Sequence, residues 1–179
     1  MKKLTILAVA ALASSAFAGQ EITAPSTPVA RSKSVIPQEA CFGETELQVD
    51  LFGMYLDNQN VLGDGYGGGL GVTYFFHRNF GLTADISLSD SALDTVWQFQ
   101  AGFVARYPFE IGNICLAPYA KVTGGLQSED GDNAFLAGGL GLEWRATSRF
   151  GVFAEANYGS VEGADDDFFS ARTGVRFVF

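Results

Sequence analysis

The chain has 179 residues, a formal net charge of -9, 47% hydrophobic and 17% charged residues, with 22 glycines and 16 phenylalanines. So acidic a chain repels nucleic acid, and so hydrophobic a chain is not disordered. No stretch approaches ~20 consecutive apolar residues, which excludes a helical membrane span.

The first segment carries a basic start, Met1-Lys2-Lys3, an apolar run from Leu4 to Leu12, and Ala16-Phe17-Ala18. Basic start, apolar middle and small-residue cleavage site in that order predict a signal peptide over 1–18, cut before Gly19. Residues 19–43 change character, with Pro25, Pro28 and Pro37 among Ser, Thr and Ala, and read as an extended linker. Cys41 is too far past the apolar run to be a lipoprotein acceptor.

From Glu44 to Phe179 the hydrophobic pattern has period two, the signature of strands with two different faces. Strand one sets Leu47, Val49, Leu51, Gly53 and Tyr55 against Glu46, Gln48 and Asp50. The next two set Leu70, Val72, Tyr74 and Phe76 against Gly67, Gly69, Gly71 and Thr73, then Leu82, Ile86 and Leu88 against Thr83, Asp85 and Ser87. Strand four opposes Trp97, Phe99 and Phe103 to Gln98, Gln100 and Arg106. Strand five opposes Leu116, Pro118, Ala120 and Val122 to Tyr119, Lys121 and Thr123. Proline lacks a ladder donor, so a bulge is expected near Pro118. Leu136, Leu140, Leu142 and Trp144 then oppose Gly139, Gly141, Glu143 and Arg145. Val152, Ala154 and Tyr158 oppose Phe153, Glu155 and Asn157. The eighth strand, Phe169 to Phe179, alternates Phe169, Thr173, Val175, Phe177 and Phe179 with Ser170, Arg172, Gly174 and Arg176.

Short connections at 77–79, 108–113 and 147–149 alternate with longer polar ones at 57–65, 89–94, 127–133 and 159–167. Eight antiparallel strands with short turns at one end and longer loops at the other form an all-β up-and-down barrel. Alternation alone leaves the outward face undecided, because a soluble barrel would hide its apolar face. Volume decides it: an eight-stranded barrel has room inside only for modest side chains. The glycine-rich polar face fits there, and the Phe, Leu, Trp and Tyr face does not. Aromatics also gather at strand ends, Tyr55, Trp97, Tyr158 and Phe169 toward the loops and Tyr74, Phe76, Phe80, Tyr107, Trp144, Phe177 and Phe179 toward the turns, as in interfacial girdles.

Inward-facing charges are balanced: Glu46, Asp50, Asp85, Glu143 and Glu155 against Arg106, Lys121, Arg145, Arg172 and Arg176. In so narrow an interior they are expected to pair, and Glu143→Ala is expected to strand a buried cation. The loops are acidic throughout, with Asp57, Asp64, Asp90, Asp94, Glu129, Asp130, Asp132, Glu162 and Asp165-Asp166-Asp167 and no lysine or arginine. They offer divalent cations a surface without a complete ligand loop. No metal-ligating, cofactor-binding or catalytic motif stands out. His77, the single histidine, falls in a short turn, and Gly67-Gly68-Gly69 lies within a strand with no helix to make a phosphate loop.

Signal peptide, eight amphipathic strands and a last strand ending Arg176-Phe177-Val178-Phe179 resemble the OmpA/OmpX-like family of eight-stranded, porin-like outer-membrane β-barrels. The resemblance implies a monomer in the cell outer membrane with both termini in the periplasm, lipid as its surroundings, and Phe177 and Phe179 as the signal read by the barrel assembly machinery. It also differs from full-length OmpA in lacking a following periplasmic domain, and its loops are shorter than those of opacity-type adhesins. The leading expectation is a structural envelope protein whose lumen is plugged by ion pairs and whose surface is acidic. A narrow porin-like channel is the alternative; a lipid-modifying enzyme or an adhesin ranks lower. Cys41 and Cys115 fall at the same, periplasmic end, in an oxidising compartment, and are expected to form a disulfide across the barrel base.

Overall fold

The computed structural model describes residues 41–58, 65–91, 95–128, 132–162 and 167–179. The expected signal peptide, the linker up to residue 40 and the loop carboxylates Asp64, Asp94, Glu129, Asp130, Asp165 and Asp166 lie outside the described residues.

Among the described residues nine strands follow one another: β1 Glu46–Asn58, β2 Gly65–His77, β3 Phe80–Ser91, β4 Thr95–Arg106, β5 Phe109–Ile111, β6 Ile114–Ser128, β7 Asp132–Thr147, β8 Phe150–Val161 and β9 Asp167–Val178. Consecutive strands pair antiparallel except β4 and β5, and two pairings between strands that are not consecutive complete the ring. β1 pairs with β9, and β4 pairs with β6. β5 is the short continuation of β4 past Tyr107-Pro108, pairing with the start of β6, so the wall has eight staves. Closure leaves no open edge in the wall, the condition a sheet must meet to sit in lipid. The last residue completes the ladder, since Phe179 N–H donates to Leu47 O at 2.9 Å and Leu47 N–H to Phe179 O at 3.2 Å.

At one end lie the tight connections His77–Phe80, Ile111–Ile114 and Thr147–Phe150, together with the start of β1 and the end of β9. In the Ile111–Ile114 hairpin the first central residue is Gly112 at φ +62°, the left-handed conformation that a type II′ turn requires there. The sheet is irregular at two of these turns, between Phe75 and His77 and between Arg145 and Thr147. The expected bulge at Pro118 is absent: β6 pairs with β7 in unbroken register from Cys115 to Ser128. A strand residue directs its N–H and C=O to the same neighbour. Pro118 O accepts from Tyr107 N–H at 2.9 Å, so the missing donor faces Tyr107 just past the end of β4, and the β6–β7 ladder loses no bond. At the other end several strands run further than the alternation marked, with β6 reaching Ser128 and β8 reaching Val161.

The period-two pattern resolves into inside and outside as read. Leu51, Leu70, Ile86, Phe103, Val122, Leu136, Leu140 and Trp144 are exposed on the outer surface, while Glu46, Asp50, Asp85, Glu143 and Arg145 are buried. Such a continuous apolar belt is the surface of a protein whose solvent is hydrocarbon. The aromatics named for the two girdles stand on this face, joined at the loop end by Tyr66, whose ring lies 5.4 Å from that of Tyr55.

Candidate functional site: the charged lumen and its base

All ten inward charges are buried, and every one is in an ion pair. They form two groups. Nearer the turn end, Glu46 bridges Arg106 and Arg145, each at 2.7 Å; Arg145 also pairs with Glu143, which pairs at 2.7 Å with Arg176. Arg176 then grips Asp50 through two parallel bonds of 2.7 Å. In mid-barrel, Asp85 accepts from Arg172 at 2.9 Å, and Glu155 pairs with Lys121 at 2.7 Å and with Arg172 at 3.7 Å. Each group has as many acids as bases, so neither leaves net charge in a low-dielectric interior, where an unpaired ion costs several kcal/mol. Tyr119 stands between them: its hydroxyl donates to Glu155 at 2.9 Å, and its ring lies 5.6 Å from the Arg176 guanidinium.

Glu143 shares both of its cations with other carboxylates, Arg145 with Glu46 and Arg176 with Asp50. Removing it therefore strands neither arginine completely, contrary to the sequence expectation. Lys121 and Arg106 are the cations held by a single carboxylate among the described ion pairs.

The inner face is less uniformly polar than alternation suggested. Phe52, Met54, Leu56, Phe135, Ala137, Phe153, Val161 and Phe168 form a buried apolar cluster reaching from mid-barrel to the loop end. On the facing strands Ser87, Ser89, Gln98, Gln100 and Gln127 are buried, with Gln98 Nε2 donating to Gln127 at 2.8 Å and Gln100 to Asp85 at 2.8 Å. Each phenylalanine of this cluster faces a glycine on a neighbouring strand, a match that the alternation along a single strand does not reveal. A Cβ on Gly69 would lie 2.6 Å from Phe52 Cζ, and one on Gly159 would lie 2.5 Å from Phe168 Cζ. Within the Gly67-Gly68-Gly69 run, Gly69 thus provides the recess for the Phe52 ring. Among the described residues the lumen holds a cavity of about 20 Å³ lined by residues including Asp50, Gly71, Asp85, Arg106 and Arg172, room for about one water.

The turn end is stoppered by the segment before β1. Phe42 is 1% exposed, with its ring 4.5 Å from the Arg145 guanidinium and 5.1 Å from that of Arg106. The Arg106 guanidinium also lies over the Phe75 ring, 3.7 Å from its centroid. Arg145 Nη1 donates to Cys41 O at 2.9 Å, and Gly43 N–H donates to Glu46 Oε1. Cys41 is joined to Cys115 as a disulfide with Cα atoms 6.1 Å apart. Residues 41–43, the end of the expected linker, therefore pack into the barrel mouth. Sequence reading missed Phe42 because a lone aromatic in a Pro/Ser/Thr-rich stretch has no periodicity to assign it a face.

His77 is the last residue of β2, beside the turn, its Nδ1 accepting from Asn79 N–H at 3.2 Å. Phe177 and Phe179 are exposed on the outer face at the turn end.

No family model matches the chain, and no curated protein matches it. Its structure is similar to the crystal structure of Neisserial surface protein A, at TM-score 0.56 and 14% identity, covering 76% of this chain and 98% of that one. The chain has the fold of the eight-stranded outer-membrane β-barrels. That barrel is also similar to a de novo designed transmembrane β-barrel, at TM-score 0.53 and 14% identity over 76% of this chain and 96% of the design. A third likeness is to the N-terminal β-barrel domain of Pseudomonas aeruginosa OprF, at TM-score 0.50 and 16% identity over 74% of this chain and 97% of that domain.

Proposed function

We propose that this protein is an integral outer-membrane barrel with a structural role: it stays closed to solutes, contributes to envelope integrity and presents an acidic rim to the exterior. The turn end, with the start of β1 and the end of β9, faces the periplasm in this reading, and Phe177 and Phe179 serve its assembly. The observation that carries the proposal is the complete pairing of ten buried charges around a cavity of only about 20 Å³. A conducting lumen needs sites that an ion can enter and leave, whereas here each carboxylate and each cation already holds a partner within the wall. Purified protein reconstituted in planar bilayers is expected to give no steady single-channel current. Reproducible ion-selective conductance from the unaltered protein would replace this reading with that of a narrow channel.

A further inference from the structure

The base of the barrel brings together three groups that the closed-lumen reading does not use. Glu110 and Cys115 are direct cross-strand partners in the β5–β6 hairpin, and Cys41 is held against them by the stopper segment. One carboxylate oxygen and the two sulfurs all lie within 4.8 Å of one another. Cys41 N–H also donates to Glu110 Oε1, at 3.4 Å.

We propose that when the Cys41–Cys115 disulfide is reduced, the two thiolates and the Glu110 carboxylate form a site for one soft divalent metal ion of the zinc and cadmium class. Reduction by a dithiol passes two electrons to the disulfide, giving two thiols here and a disulfide in the reductant. Each thiol then releases its proton as the metal binds. Two sulfurs and one oxygen are three of the four ligands of a tetrahedral zinc-type site, and sulfur donors select such ions over magnesium or calcium. Cys115 is buried, Cys41 half-buried and Glu110 exposed, so the fourth position opens to solvent, where a water can complete the shell.

The site survives loss of the S–S bond because nothing else that positions it is a sulfur contact. Arg145 holds the Cys41 carbonyl, the Glu46 carboxylate holds Gly43 N–H, and the Phe42 ring lies against two guanidinium groups. The hairpin pairing independently sets Glu110 beside Cys115. Rotation about the two cysteine χ1 angles opens the sulfurs to the separation a metal needs. Disulfide and metal then exclude each other, making the metal-bound state a record of the redox poise at the barrel base.

The test uses the whole protein folded in detergent micelles, reduced with a dithiol, freed of it under anaerobic conditions and titrated with Cd²⁺ alone. The ultraviolet thiolate-to-metal charge-transfer band should grow to saturation at one ion per chain and be absent from the oxidised protein. Glu110→Gln should weaken binding by at least about tenfold, and bound Cd²⁺ should protect both thiols from alkylation. No band in the reduced protein, or equal affinity in Glu110→Gln, overturns the proposal. Circular dichroism checks that the reduced barrel remains folded; a reduced chain that loses its sheet also overturns it, since the site requires the stopper to stay seated.

Discussion

Asp50 and Arg176 sit directly opposite each other across the seam where β1 meets β9, and Arg176 donates to both carboxylate oxygens at 2.7 Å. Residues 126 apart in sequence thus meet at the last pairing the barrel can make. A bidentate guanidinium–carboxylate pair has a fixed geometry as well as a charge, so it marks the register of closure. Arg176→Leu leaves Asp50 buried without a cation and is expected to cost about 3–5 kcal/mol, read from unfolding in urea in micelles. Adding Asp50→Asn should recover part of that loss. A double variant no more stable than the single one would show that the pair is not coupled.

Carboxylates that are the sole partner of a cation should matter more than those that share. Glu155→Ala strands Lys121 and removes the acceptor of the Tyr119 hydroxyl, and is expected to cost about 3–5 kcal/mol. Glu143→Ala leaves Arg145 with Glu46 and Arg176 with Asp50, and is expected to cost roughly 1.5–3 kcal/mol, the scale of lost charged hydrogen bonds. Thermal unfolding, followed as the loss of heat-modifiable migration in electrophoresis, gives the order. The reverse order would contradict the partner assignment.

Gly141 lies under the Tyr119 ring, where a Cβ would come within 2.3 Å of Cζ. Gly141→Ala must push the ring away from Glu155, at an expected cost of about 1–3 kcal/mol. In a Tyr119→Leu background the same substitution should cost far less. A double-mutant cycle measures the difference, and a coupling near zero would mean the ring moves aside freely.

The Cys41–Cys115 bond closes a span of 74 residues. On the chain-entropy model such a bond stabilises by roughly 4–5 kcal/mol. Reduction is expected to lower the midpoint of urea unfolding while leaving the folded barrel's far-ultraviolet dichroism unchanged. An unchanged midpoint would mean that packing of Phe42 alone sets the stability of the base.

Leu140 is 70% exposed at the middle of β7, on the face assigned to lipid. Leu140→Arg places a cation at the hydrocarbon midplane and is expected to cost about 2–4 kcal/mol in bilayers. Lys121, on the neighbouring strand β6 next to Leu140's partner Ala120 but facing inward, shows that a cation is accepted on the other side of the wall. Loss of less than ~0.5 kcal/mol for Leu140→Arg, the range of ordinary surface substitutions, would argue that this face meets water.

The sequence by itself determined the staves and their faces, because a side-chain period of two assigns each residue to a side without reference to any neighbour. Leu140 outside and Glu143 inside follow from parity alone, and the small volume of an eight-stranded interior turns parity into direction. Parity could also list the ten lumen charges. It could not say which of them meet, because Asp50 finds Arg176 and Asp85 finds Arg172 only through the register of seam and barrel circumference, across 126 and 87 residues. Pro118 shows the same division: its missing donor was legible, but only its facing the end of β4 decides that the β6–β7 register is kept. The phenylalanine–glycine recesses and the seating of Phe42 between Arg106 and Arg145 are likewise matters of which walls face each other. One-dimensional patterning fixes the face of a residue; closure of the sheet in three dimensions decides what that face touches.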